Sequence, residues 1–503
     1  MAAGLEGTDQ SLSARRWYSL FVVSGLIGLV WILSDGFVIA VPAISHDLGG
    51  STDQMAWVVN SFTIVGCTAA LFGRLGDAHG ARRLVAVGIL ILIGGSVIGG
   101  LAQSPDILII ARALQGVGGI AMFTCGLALI THQFPPEERS KALSVRSVIA
   151  YVASGSAVLI LALVLSGLGW RWIFWSSIAV AAVGLLLLAV TTTEFREPKS
   201  NKRLDLVGAA TLSSSFLVLN FALIESDELS FLRLLILLAV SALLLTFFVR
   251  AESQAADPLI PPSVWRQTTF TGSIIVTFLY GVVLNGVLFL LALYLQTVRG
   301  LSAIDAAAVL MGATLAIIVA NPLGAGLVKR GRLLLPVVAG MVLVAVASSA
   351  ILVGVQLDST PVILIGLVGL GLSIGVQMTA LSVLQVTSAG ATKGTASGVV
   401  GIVTALSVAM GIAIATAVME NVAVRSLRGE TGSNQLEGVS HQRLLDILSG
   451  GIPLDSLSAA GQTVVKSAFD AGMVAACVAF VLFALIGVGV ALKMLRNIAL
   501  DDD

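Results

Sequence analysis

Long apolar runs separated by short polar connections set the pattern of this chain. Fourteen such runs lie near 18–42, 55–73, 84–102, 107–131, 145–167, 171–193, 205–225, 230–250, 270–296, 304–328, 333–356, 361–385, 396–420 and 470–494. Each is close to the roughly 20 residues that a helix needs to cross a bilayer. Leu, Val, Ile, Ala and Gly mix in them without strict alternation, which predicts helices and not barrel strands. The expected fold is therefore an all-α polytopic membrane protein with 14 transmembrane helices.

The connections carry the charge. With the N-terminus placed in the cytoplasm, nineteen of the 28 Lys and Arg fall in inner connections and seven in outer ones. That bias predicts cytoplasmic N- and C-termini. The chain has 503 residues, 57% of them hydrophobic and only 11% charged, against about 25% charged in a soluble domain. A soluble core of this length could not hide so much apolar surface, so the expected solvent is lipid. A formal net charge of zero argues against a nucleic-acid partner. Cys67, Cys125 and Cys477 sit inside apolar runs, and the four histidines fall in polar connections, so no metal-ligand spacing is seen. The first apolar run is too long for a signal-peptide core, and no secretory signal is expected.

One connection stands out. "GRLGDAHGARRL", Gly73 to Leu84, places four charges and three glycines between the second and third runs. A weaker echo, "GAGLVKRGRLL", lies between the tenth and eleventh runs. Corresponding basic turns point to an internal repeat of six helices, two extra helices, then six. The expected divisions are 1–195 for a first six-helix bundle, 196–266 for two peripheral helices with linkers, and 267–503 for a second bundle. A long outer loop is expected at 421–469, a solvated cap or a partner-binding segment.

These residues resemble the major facilitator superfamily, specifically its fourteen-helix drug/proton antiporter group. "GRLGDAHGARR" resembles that superfamily's loop signature, and "ARALQGVGG" (Ala111 to Gly119) its fourth-helix R-x-x-Q-G. "WVVNSFTI", "FPPEERSKAL", "GWRWIFW", "LYLQTVRGLS" and "GTASGVV" follow in the family's order. Four departures stand beside them, two of which are Lys329 where an acid would sit and "GLSA" in place of G-L-S-P. "SGSAVLIL" (Ser154 to Leu161) replaces the fifth-helix G-P-x-x-G-G, and Asp35 precedes Pro42 by seven residues instead of nine. The resemblance implies a secondary transporter in the cell membrane that exports hydrophobic or amphiphilic compounds by proton antiport and alternating access. It implies a monomer whose partners are the lipid bilayer, a small substrate and protons. On the same fold, an exporter or flippase of an endogenous lipid or metabolite is the alternative; a non-transporting membrane sensor or scaffold is the alternative of another class. No nucleophile–base pair, Walker loop or metal cluster points to an enzyme or a cofactor.

Ionisable residues inside spans cost about 2.5–3.5 kcal/mol each on insertion scales and are functional candidates for that reason. Asp35 in the first run and Arg112 in the fourth lie at matching depth, so they are the proton-coupling candidates. They form either a proton-sensitive pair or a constitutive structural one, unless Asp35 faces outer water. Gln115 and Gly116 complete the fourth-helix motif. Arg146 either snorkels to the inner surface or lines a cavity for an anionic head group. Asn60, Asn285 and Gln377 are expected nearest a central cavity, with interhelical hydrogen bonding as the plainer role. In the loop motif the resemblance implies that Asp77 latches against the start of the eleventh core helix near Lys393. Gly73 and Gly76 would allow close contact and Gly80 a tight turn, while Arg74, Arg82 and Arg83 would hold acids or lipid phosphates.

Overall fold

The computed structural model describes residues 2–194, 206–225, 229–254, 266–388, 393–428 and 459–495. They form sixteen α-helices, with no strand among the described residues. The first run divides into α1 (Ala2–Asp35), a 3₁₀ turn (Phe37–Ala40) and α2 (Val41–Leu48). The second divides into α3 (Thr52–Ile64), a 3₁₀ turn (Val65–Thr68) and α4 (Ala69–His79). Next come α5 (Ala81–Gly100), α6 (Pro105–Gln133), α7 (Pro136–Leu168) and α8 (Arg171–Thr191). The extra pair is α9 (Leu206–Ile224) and α10 (Phe231–Gln254). The rest are α11 (Thr268–Leu293), α12 (Ala303–Lys329), α13 (Leu334–Gln356), α14 (Thr360–Ser388), α15 (Lys393–Arg428) and α16 (Ala459–Met494).

Local chemistry sets several ends. Ser51 and Gln54 close a reciprocal capping box at the start of α3, which satisfies orphan amide donors. The Ser104 hydroxyl accepts from the amide of Ile107 ahead of Pro105 at the first turn of α6, where proline loses no helical bond. The polar connection after the second run is shorter than its sequence predicts: α4 continues through Gly73, Gly76 and Asp77 to His79. The reversal falls on Gly80 alone, at φ +103°, a backbone angle that glycine adopts without steric cost. The long loop expected at 421–469 is also trimmed from both sides. Helix α15 runs on to Arg428 and α16 begins at Ala459; residues 429–458 lie outside the described residues.

Eleven helices among the described residues are long and apolar enough to cross a membrane. The runs at 55–73, 145–167 and 205–225 fall outside that set. The first is divided between α3 and α4, and the others hold shorter apolar stretches, Val152–Leu168 and Ala210–Ile224. Apolar side chains also cover the outer surface: Val190 is 74% exposed and Leu243 70%. Water would penalise such a surface and lipid does not.

The packing repeats. Helix α5 lies on α6 as α13 lies on α14, and α3 on α6 as α12 on α14. Likewise α1 meets α7 and α8, as α11 meets α15 and α16. The two sets touch through α3 against α15 and α7 against α12. The extra helix α9 packs on α10 and also on both α3 and α15, so it covers the seam between them.

Candidate functional site

The first helix breaks beside Asp35. Gly36 follows Asp35, and a Cβ there would stand 2.5 Å from the carbonyl oxygen of Ala157 on α7. Only a bare backbone fits so close to α7. The break turns the half-buried Asp35 carboxylate toward α7, where it accepts a hydrogen bond from the Ser154 hydroxyl. Asp35 makes no ion pair among the described residues. Ser154 and Gly155 are the residues standing in the altered fifth-helix motif. Gly155 faces the Thr314 side chain on α12, 2.6 Å from where its Cβ would be. The motif's departure thus supplies the partner of Asp35 and a contact across the seam.

Arg112 is fully buried and does not pair with Asp35. Its guanidinium donates to the Leu33 carbonyl of α1 at 3.0 Å, the Val58 carbonyl of α3 at 3.3 Å and the Gln115 side-chain oxygen at 2.9 Å. Phe37 and Phe62 hold its two faces at 3.9 and 4.3 Å. The expected pair at matched depth is therefore corrected. Arg112 grips the backbone of Leu33, and two residues further on the helix has turned by about 200°, which aims Asp35 at α7. Gln115 in turn donates to Ser96 Oγ at 2.8 Å, and Ser96 meets Ser177 at 2.9 Å. One polar chain thereby ties α6 to α1, α3, α5 and α8. Gly116 lets α6 approach α3; a Cβ there would lie 2.2 Å from the Phe62 carbonyl oxygen.

The four cavity candidates separate. Asn60 is fully buried at the seam: its amide donates to the Ala409 carbonyl of α15 at 3.2 Å and to Asn220 of α9 at 3.5 Å. Gln377 is fully buried between α13 and α14, against Gly340. Both sit in helix interfaces instead of facing a cavity, because small neighbours (Gly66 beside Ala405, Gly340 beside Gln377) draw those helices together. Asn285 is half-buried on α11 and bonds its own helix, at the Gly281 carbonyl, 2.8 Å away. Arg146 is half-buried, with its guanidinium carbon 5.3 Å from the centre of the Phe123 ring on α6.

At the Gly73–Leu84 motif, a Cβ on Gly76 would stand 2.9 Å from Cys125 Sγ, so α4 lies tightly on α6 there, and one on Gly73 would be 3.4 Å from Thr124. The Arg82 amide donates to Glu194 Oε1 at 3.1 Å, and Arg83 Nε lies 3.6 Å from Glu194 Oε2. Arg82 also donates to the Ala189 carbonyl at 2.7 Å, so this pair of arginines fastens the C-terminal end of α8. The side chains of Arg74, Asp77 and Lys393 lie outside the described residues, and with them the expected latch.

Sequence reasoning missed two Asp–Arg ties at helix ends. Asp47 accepts from Arg171 at 2.5 Å and from the Trp170 indole at 3.0 Å. The Arg171 guanidinium holds the Asp47 carboxyl below its ordinary range. In the second half, Arg299 bonds Asp358, and also Thr360 at 2.8 Å. An Asp–Arg pair more than a hundred residues apart, Asp47 in α2 and Arg171 at the start of α8, leaves no spacing signal in a sequence.

Comparisons with known proteins agree with this architecture. Residues 20–412 match the family model of the Major Facilitator Superfamily. The puromycin resistance protein pur8 of Streptomyces alboniger is 32% identical over 467 residues, covering 88% of each chain. The multidrug resistance protein Stp of Mycobacterium tuberculosis is 25% identical over 413 residues, covering 80% of this chain and 76% of its own. Among solved structures, a bacterial homolog of the human lysosomal transporter Spinster, inward-facing and occupied, superposes with a TM-score of 0.65. It is 17% identical and covers 96% of this chain and 97% of its own.

Proposed function

Because this chain belongs to the Major Facilitator Superfamily, we propose that it is a secondary active transporter that exports hydrophobic or amphiphilic compounds in exchange for protons. It works by alternating access in the cell membrane, as a monomer, with fourteen crossings arranged six, two and six and both termini in the cytoplasm. Relatives named for drug resistance support the export of small compounds. The observation that carries proton exchange is Asp35: a half-buried carboxylate at a helix break, held by the hydroxyl of Ser154 and making no ion pair among the described residues. A carboxylate locked to an arginine resists protonation, whereas one held by a hydroxyl can take up and release a proton as its surroundings change. Its contact to α7, which also touches α12 at Gly155, links that proton to the seam between the two halves. Arg112 serves as the fixed frame on which α1 breaks.

The test uses the full chain reconstituted in liposomes with a fluorescent cationic dye outside. An acid lumen should drive dye accumulation, and a protonophore should abolish it. Accumulation equal to that of protein-free liposomes would overturn the export reading; accumulation indifferent to the protonophore would overturn proton exchange.

A further inference from the structure

Arg82 and Arg83 hold Glu194 with only part of what they offer. Arg82 gives Glu194 its backbone amide and spends one guanidinium N–H on the Ala189 carbonyl. Arg83 reaches Glu194 through Nε at 3.6 Å, and its side chain is 66% exposed. A guanidinium carries five N–H donors, so each arginine keeps donors that nothing in the described residues accepts. Both side chains line a cavity of about 300 Å³ between α5 and α8. Its other walls are Glu194 and the apolar Ala86, Leu185, Leu188 and Ala189.

The cavity stands where lipid headgroups begin. Arg82 and Arg83 open the span Ala81–Gly100, and Glu194 follows the end of the span Arg171–Thr191. Next to the lining residues, Val87 and Leu90 of α5 and Leu186 and Val190 of α8 are exposed, a surface for acyl chains and not for water. Arg15 of α1 adds a guanidinium at the same end of α8, where it donates to the Val190 and Thr191 carbonyls. Three cations against one carboxylate leave a positive excess, which attracts acidic headgroups at a membrane surface. An apolar-walled recess with unused guanidinium donors suits an anion that carries an apolar body.

We propose that this cavity seats the headgroup of an acidic phospholipid, with its phosphate on Arg82 and Arg83 and its acyl chains along the exposed faces of α5 and α8. Glu194 is then the competitor that sets the affinity, because it draws on the same arginines.

Binding to the purified, delipidated full chain in neutral detergent tests the site without requiring transport. The probes are tritiated dioctanoyl phosphatidylglycerol, dioctanoyl phosphatidylcholine, which has the same chains and no net charge, and glycerophosphoglycerol, which is the acidic headgroup without chains. Wild-type protein should bind phosphatidylglycerol about tenfold more tightly than phosphatidylcholine, the scale of a charge-assisted hydrogen bond. A large excess of glycerophosphoglycerol should leave it bound. Arg83→Gln removes an exposed ion pair of little worth to folding and should erase most of the preference, while Arg83→Lys should keep part of it. Glu194→Gln removes the competing charge and should raise phosphatidylglycerol affinity severalfold. Ala86→Phe fills the cavity without touching a charge and should lower that affinity severalfold. Equal affinity for the two lipids in the wild type, an unaltered preference in Arg83→Gln, or unaltered phosphatidylglycerol binding in Ala86→Phe would each overturn the site. Displacement by glycerophosphoglycerol would assign the cavity to a soluble anion and overturn the lipid as its occupant.

Discussion

Gly116 on α6 and Gly371 on α14 lie eleven residues past the first residue of their helices. Each presses on a neighbour's backbone: a Cβ would meet the Phe62 carbonyl oxygen at 2.2 Å in one and the Ala313 carbonyl oxygen at 2.0 Å in the other. The shared register pairs Arg112 with Leu367 and Gln115 with Leu370, and all four are buried. Ser96 of α5, which accepts from Gln115, has its counterpart in Ser348 of α13, whose buried hydroxyl has no partner among the described residues. The backbone approach is repeated while the chemistry is not. In the first half a guanidinium and an amide fasten four helices by hydrogen bonds; in the second, leucines fill the same volume. Charge was therefore not needed to build this packing. Its place in the first half is beside the break in α1, where carbonyls that a continuous helix would use are left to be met.

Three substitutions sharpen that contrast. The largest effect is expected from Arg112→Leu, which installs the second half's residue in the first. The carbonyls of Leu33 and Val58 and the Gln115 side chain would lose a buried donor at about 1–3 kcal/mol each. After relaxation, a loss of about 3–5 kcal/mol should appear as a much lower melting temperature in detergent. Stability near wild type would mean that Arg112 is not the frame described here. Next come Gly116→Ala and Gly371→Ala. Because each new methyl meets a carbonyl that cannot swing aside, both should cost about 1–3 kcal/mol, and by similar amounts. A large cost in only one would break the equivalence of the two packings.

The smallest effect concerns the Asp47–Arg171 tie. The carboxyl of Asp47 titrates below its ordinary value in the folded protein because Arg171 holds it. The tie therefore contributes fully above the unfolded value near 3.8 and is lost as pH falls through the lower folded value. Its side chain is 45% exposed, so about 0.2–1 kcal/mol is expected. Melting of wild type and Asp47→Asn, compared at pH 6 and at a pH well below 3.8, should differ at the first and converge as the pH falls below the lowered folded value.

How much of this was readable beforehand follows from what each signal measures. Hydropathy reports whether a segment meets lipid, so the positions of the apolar helices were plain. It says little about azimuth. By residue count Asp35 and Arg112 read as lying at one depth, yet a two-residue offset around α1 sends them to different neighbours. Gln377 and Asn60 looked like cavity residues because they are polar, but small residues on facing helices draw them into interfaces. Ser154 was visible only as a departure from the fifth-helix motif. Its meaning depends on the break at Gly36, which the Ala157 carbonyl imposes from a helix more than a hundred residues away.

The central claim is that Asp35 carries the exchanged proton while Arg112 holds the frame, and Asp35→Asn in proteoliposomes tests it most directly. The variant keeps the side chain's size and can still bond Ser154 while abolishing titration. Gradient-driven accumulation of substrate should vanish, and equilibrium exchange of labelled for unlabelled substrate, with no pH gradient, should persist near the wild-type rate. Wild-type accumulation driven by the pH gradient in Asp35→Asn would contradict the account.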